Sequence, residues 1–122
     1  MASRFEHVFA GDHALGGSRH TVAGLRSWFE RLYRLAPDLA FTVKHIAVSG
    51  PPWNTTAVIE WRDEATLAAG GDYANDGVHV VRMRWGKAIS LHAYLDTAVF
   101  ADSCRRMAQA GITEAGAAPI QD

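Results

Sequence analysis

Cysteine occurs once in 122 residues, at Cys104, so no disulfide can form within the chain, and a reducing cytoplasm is the expected location. Proline is scarce too, at four residues. No linker, internal repeat or low-complexity tract interrupts the sequence, so a solenoid or a tethered pair of domains is not expected. Neither sign of charge dominates: 12 Lys and Arg against 13 Asp and Glu leave a net charge of -1. A chain without a basic excess cannot neutralise many phosphates, which excludes nucleic acid as an expected partner. No apolar run approaches the roughly 20 residues needed to cross a bilayer, so no membrane association is expected. No apolar h-region follows Met1, so no signal peptide is expected either. Walker, GxGxxG and GxSxG motifs are all missing, which leaves nucleotide and serine hydrolysis without support.

What the chain does have is apolar surface, at 48% of residues, with four tryptophans and six histidines. That is enough for one domain over 1–122, with a core at about 4–111 and a loosely held tail at 112–122. A short strand is predicted from Arg4 to Phe9, followed by a glycine-rich loop from Ala10 to His20. Thr21 to Ala36 reads as an amphipathic helix: Val22, Leu25, Phe29, Leu32 and Ala36 recur at three- and four-residue steps, and Trp28 and Leu35 widen the stripe. Four segments with period-two alternation follow, at Leu39 to Val48, Thr55 to Arg62, Gly77 to Trp85 and Ala88 to Leu95, with a hairpin expected at Gly86-Lys87. A helix from Thr97 to Gln109 closes the pattern, capped by Asp96 and ended by Gly111. The class is α+β, with an antiparallel sheet.

Histidine is the informative residue type. His79 shares the parity of Val81, Met83 and Trp85, so it is either a satisfied core residue or a polar group inside an apolar pocket. In the second case desolvation keeps it neutral and suited to general-base work. His7, His13 and His20 flank the glycine-rich loop, but their spacing with Asp12 matches no established ligand motif, so neither metal nor cofactor is expected. Asp96 suits a helix cap at least as well as catalysis. Trp28, Trp61, Met83 and Leu91 can line a ligand cavity or simply fill a core. The strand faces opposite the core still carry Val, Tyr and His, which hints at a partner subunit there.

Two stretches resemble a known family. Phe5-Glu6-His7-Val8-Phe9-Ala10-Gly11-Asp12-His13-Ala14-Leu15-Gly16-Gly17, with the helix after it, resembles the first-strand region of SnoaL-like proteins. Gly77-Val78-His79-Val80-Val81-Arg82-Met83-Arg84-Trp85-Gly86-Lys87, running on to His92-Ala93-Tyr94-Leu95-Asp96, resembles their final hairpin. These proteins belong to the nuclear transport factor 2-like superfamily, with ketosteroid isomerase, limonene-epoxide hydrolase and polyketide cyclases among their relatives. The resemblance implies a curved sheet wrapped around a helix as a cone with an apolar pocket, and a homodimer through the outer sheet face. The opening helices usual in the family are expected to be shortened or missing here. His7 matches the aspartate base of ketosteroid isomerase, and Val78 or His79 matches that enzyme's second acid. The acid of the cyclases and the epoxide hydrolase falls near Ala93. Without those carboxylates neither steroid isomerisation nor epoxide hydrolysis is assigned.

The expected function is binding of a small apolar organic molecule, with cofactor-independent isomerase, cyclase or lyase chemistry on a carbonyl compound. His7, His79 and Asp96 are the catalytic candidates, and His13, Trp28, Trp61, Met83 and Leu91 the ligand-binding ones. A non-catalytic module of the same fold is the alternative.

Overall fold

A computed structural model describes residues 5–122. The elements are β1 (Glu6–Phe9), β2 (Gly17–Arg19), α1 (Val22–Leu35), β3 (Ala40–Ser49), β4 (Thr55–Thr66), β5 (Asp72–Arg84), β6 (Lys87–Leu95), α2 (Thr97–Gln109) and a 3-10 turn at Thr113–Gly116. Arg4, the expected start of the first strand, lies outside the described residues. The strands form one curved, unclosed sheet in the order β2-β1-β6-β5-β4-β3, with both helices packed against it. The class is α+β, as expected.

The sheet is not wholly antiparallel: β1 runs parallel to β6, with His7 opposite Leu91 and Phe9 opposite Ala93. The long route through α1 and the meander makes that geometry possible, because parallel neighbours need a crossover rather than a hairpin. Within the expected loop, β2 pairs with β1 and sets Arg19 opposite His7. Strands β4 and β5 both run past their expected limits, pairing from Thr55 with Met83 to Thr66 with Asp72. The β5–β6 turn is Trp85-Gly86 rather than Gly86-Lys87. Both residues have positive φ, at 52° and 76°, as a two-residue turn matching the strand twist requires.

Helix α1 begins where Thr21 Oγ1 accepts from the Gly24 amide at 3.0 Å, and Pro37 follows its C-cap residue, Ala36. Its buried stripe is Gly24, Trp28, Leu32 and Leu35, so the helix is rotated from the expected register and Val22 and Phe29 are exposed. One cause is the Trp28 indole, which turns inward to donate from Nε1 to the Leu15 carbonyl at 2.7 Å. In α2, Phe100, Cys104 and Met107 face the core with Phe9, Leu15, Trp28, Leu35 and Tyr73. The tail is anchored: Asp122 accepts from the backbone amides of His20 and Thr21, and Glu114 pairs with Arg31 and Arg34.

Odd-numbered residues of β4 and β5 face the helices, and even-numbered ones face out. Cover is uneven. All ten residues of the edge strand β3 are exposed, including Phe41, Val43, Ile46 and Val48, and its register shifts between Val43 and His45.

Candidate functional site

Between the concave face and the helices lies a cavity of about 190 Å³. Its walls are mostly apolar: Phe9, Leu15, Trp28, Leu32 and Phe100 at one side, Phe41, Leu67 and Met107 among the others. Polar groups reach it from β1, β4 and β5, namely His7, Trp61, Asp63, Tyr73 and His79.

His7 comes from β1 and is 3% exposed. Its ring stands edge-on to Trp28, with centroids 4.5 Å apart at 67°. Burial lowers its pKa to about 4, and the positive charge of Arg19 pushes the same way, with smaller contributions from His79 and His92. The imidazole is therefore neutral at physiological pH. Among the described residues its Nδ1 has no hydrogen-bond partner.

Arg19 is fully buried on β2, with its guanidinium carbon 5.3 Å from the Trp28 ring centroid and Nη2 donating to the Gly16 carbonyl at 2.8 Å. Burial lowers its pKa to about 10, so it keeps its charge at neutral pH. Among the described residues its Nε and Nη1 have no partner.

His79 projects from β5 between two aromatic rings, 5.2 Å from Trp61 and 6.4 Å from Phe41 by centroid. Burial lowers its pKa as well. Trp61 reaches its position by lying across Gly77 of the neighbouring strand, where a Cβ would come within 2.5 Å of the indole. Any larger residue at 77 would displace the ring. Among the described residues Trp61 Nε1 also has no acceptor.

Asp63 was absent from the candidates read in the sequence. It continues the parity of Ala57, Ile59 and Trp61, one step past the expected strand end at Arg62, with Phe41 opposite on β3 and Asn75 opposite on β5. It is 5% exposed, and burial raises its pKa to about 6. Among the described residues its Oδ1 has no partner. Asn75 does not serve it: Nδ2 donates to the Tyr73 hydroxyl at 3.1 Å and the Asp96 carbonyl at 3.0 Å, while Oδ1 accepts from the Asp76 and Asp96 amides. Tyr73, held by that contact, has its pKa raised by burial, chiefly, and by the neighbouring Asp63. Extending the alternation of β4 and β5 by two residues past the expected ends is the signal that would have found Asp63 and Asn75; Tyr73 lies two residues further along the same parity.

Of the residues singled out from sequence, His7, His79, Trp28, Trp61 and Leu91 meet in this cavity. His13, Met83 and Asp96 are not among its lining residues. His13 ties the β1–β2 loop, bonding the Ala10 carbonyl through Nε2 at 2.9 Å and accepting from the Leu15 amide at Nδ1, which places it beside the Phe9 and Phe100 rings. Met83 lies near the far end of β5, opposite Thr55. The Asp96 carboxylate is taken up by the Ala98 and Val99 amides, as an N-cap of α2. Cys104 is buried with its thiol pushed up to about 11, so it carries no thiolate at neutral pH. Among the described residues, no three His, Cys, Asp or Glu side chains converge as a metal ion would need.

The sequence profile of the SnoaL-like domain family matches residues 3–91. No curated protein sequence matches the chain. Solved structures of similar fold include an NTF2-like protein of unknown function from Burkholderia pseudomallei, at TM-score 0.72 and 19% identity, covering 80% of this chain and 74% of that one. TerC, co-crystallised with polyporic acid, is similar at TM-score 0.72 and 23% identity over 84% of this chain and 78% of its own. A ketosteroid isomerase-like fold from Catenulispora acidiphila, in complex with trimethylamine, is similar at TM-score 0.65 and 17% identity over 77% and 68% of the two chains. At these identities the likeness is one of fold.

Proposed function

Because the chain belongs to the SnoaL-like domain family, we propose that it binds a small, largely apolar organic molecule in the cavity beneath α1 and moves a proton on it without a cofactor. One observation carries this reading. Among the described residues, three buried polar atoms without a partner, His7 Nδ1, Trp61 Nε1 and Asp63 Oδ1, all belong to walls of the same cavity. Leaving such atoms unpaired costs about 1–3 kcal/mol each, and a ligand bearing oxygen or nitrogen that these side chains turn to meet recovers that loss. A volume of about 190 Å³ suits a molecule of one ring; a dry apolar cavity of roughly 150 Å³ holds benzene. Two structures of the same fold hold polyporic acid and trimethylamine, which shows small organic molecules accommodated by this architecture.

The chemistry assigned to the residues is as follows. His7, neutral and with a free Nδ1, takes a proton from a carbon next to a carbonyl. His79, also neutral, donates N–H to the oxygen that becomes an enolate, and the proton returns from His7 to the same or a conjugated carbon. A base with a pKa of about 4 is weak, so the carbon acid must be activated, for example by lying between a carbonyl and an aromatic ring. Asp96 has no part in this scheme.

The test needs no natural substrate. Phenylacetone, whose CH2 lies between ring and carbonyl, is followed by NMR in deuterated water. The protein should accelerate exchange of that CH2, and His7→Ala and His79→Ala should each lower the acceleration by at least about tenfold. Binding of phenylacetone with no acceleration would leave the non-catalytic binding module as the correct reading.

The proposal extends to a homodimer through the outer sheet face. There Val78 and Val80 are half-buried, Val58 and Tyr94 are exposed, and His92 bonds Glu6 at 2.6 Å. It also extends to a cytoplasmic location, supported by the single buried cysteine. Among the described residues no helix is long and apolar enough to cross a membrane.

A further inference from the structure

We propose that the ligand of this cavity is an organic cation, an apolar one-ring body carrying one protonated amine that docks on Asp63. This rests on the cavity being a ligand site, and it adds the charge of what enters. Among the described residues lining the cavity there is no lysine or arginine, and Asp63 is the only carboxylate. The neighbouring arginine of the sequence, Arg62, is half-exposed and engages Glu64 and Asp76 instead.

Three aromatic side chains are sheet neighbours of Asp63. Phe41 is its cross-strand neighbour and Trp61 precedes it by two on the same face; their rings meet edge-to-face, with centroids 5.1 Å apart at 85°. Tyr73 lies diagonally across β5, near enough for its hydroxyl to feel the carboxylate charge. A carboxylate beside several aromatic faces is the arrangement that recognises ammonium groups: the rings attract the cation through their quadrupoles, and the carboxylate accepts its N–H bonds.

The alternative occupants fit less well. An anionic ligand would meet like charge at Asp63, and the buried cation Arg19 stacks on Trp28 at the histidine side without itself lining the cavity. A neutral ligand would leave the buried Asp63 carboxylate with no cation among the residues lining the cavity, and burying a carboxylate without a cation in contact is costly in an apolar site. A cationic ligand removes that penalty.

The experiment compares benzylamine, benzyl alcohol and benzoate at pH 7.5, read at the Trp61 indole N–H resonance of the wild-type protein and of Asp63→Asn. Benzylamine should bind at least about tenfold more tightly than benzyl alcohol, benzoate should not compete, and Asp63→Asn should bring benzylamine to within about twofold of the alcohol. Equal binding of benzylamine and benzyl alcohol to the wild type overturns the cationic assignment and leaves the cavity as a site for neutral molecules. Unchanged benzylamine preference in Asp63→Asn overturns the role of that residue. If none of the three shifts the indole resonance, the cavity is not a ligand site and both readings fall. Circular dichroism of Asp63→Asn guards against a folding defect. Should that variant unfold, Asp63→Glu supplies the second measurement: it keeps the charge and must keep the preference for the amine.

Discussion

His7 and Asp63 are almost equally buried, at 3% and 5% exposed, and they line the same cavity. Both are driven toward their neutral forms by the same loss of hydration, so one pKa falls to about 4 and the other rises to about 6. Their surroundings differ. Behind His7 stands the buried cation Arg19, stacked on Trp28, and its charge reinforces what burial does. Beside Asp63 there are aromatic rings and a neutral amide whose hydrogen bonds are spent elsewhere. The histidine end carries a buried cation of its own, with His7 Nδ1 and Arg19 Nε and Nη1 unpartnered among the described residues, whereas the aspartate end has a carboxylate and no cation among the residues lining the cavity.

The largest effect expected in breaking this comparison comes from the histidine end. Trp28→Ala removes a buried indole, its bond to Leu15 and the platform under Arg19, so stability measured by urea denaturation should fall by about 3–5 kcal/mol.

The next effect uses pH. The folded-state pKa of His7 lies below its unfolded value, so the unfolded chain binds more protons between about pH 4 and 6.5, and the contribution of His7 to stability grows as pH rises through that window. The folded-state pKa of Asp63 lies above its unfolded value, so its contribution shrinks as pH rises from about 4 to 6. Each shift is worth about 3 kcal/mol, and the two largely cancel. Asp63→Asn should therefore be more sensitive to acid than the wild type between pH 6 and 4, losing about 2 kcal/mol more over that window, by denaturation at a series of pH values. In His7→Gln the slope should lean the opposite way. Parallel pH profiles for all three proteins would show that the two ends are not opposed.

A smaller effect isolates Arg19. Arg19→Met should raise the His7 pKa, followed by NMR of the ring protons, but not to its ordinary value, because burial remains the larger cause. The smallest lies outside the comparison: Asp96→Ala removes an N-cap from α2, should cost about 1 kcal/mol, and should leave binding of benzylamine unchanged.

Much of the architecture was legible in local pattern. The stripes of both helices and the alternation through His79 depend on near neighbours in sequence, so α1, α2 and the β5–β6 hairpin could be placed. What escaped depends on residues far apart or on polarity that hides a strand. Gly17-Ser18-Arg19 has no apolar alternation, and β2 exists because β1 offers it a ladder. The parallel pairing of β1 with β6 joins residues more than eighty positions apart. In the candidate site, His7, His79, Trp28, Trp61 and Leu91 could be named because histidine and tryptophan stand out on apolar faces and Leu91 shares one. Asp63 could not, because Asp63-Glu64 and Asn75-Asp76 read as the polar ends of strands. Only the lengthened β4–β5 ladder turns Asp63 inward, and the same polar pairs that masked the strands supply the charge within the cavity.

The shifted register of β3 has a consequence for the free protein. That strand closes one side of the sheet with its backbone unpaired along the outer edge, and four large apolar side chains share its inner face. A straight edge of that kind invites templated stacking of one molecule on another. The irregularity between Val43 and His45 puts Lys44, ion-paired to Asp76, at the point where the ladder slips, so the strand offers two short runs instead of one long one. A kinked, charged border of this sort is a guard against fibre growth, achieved with one extra residue.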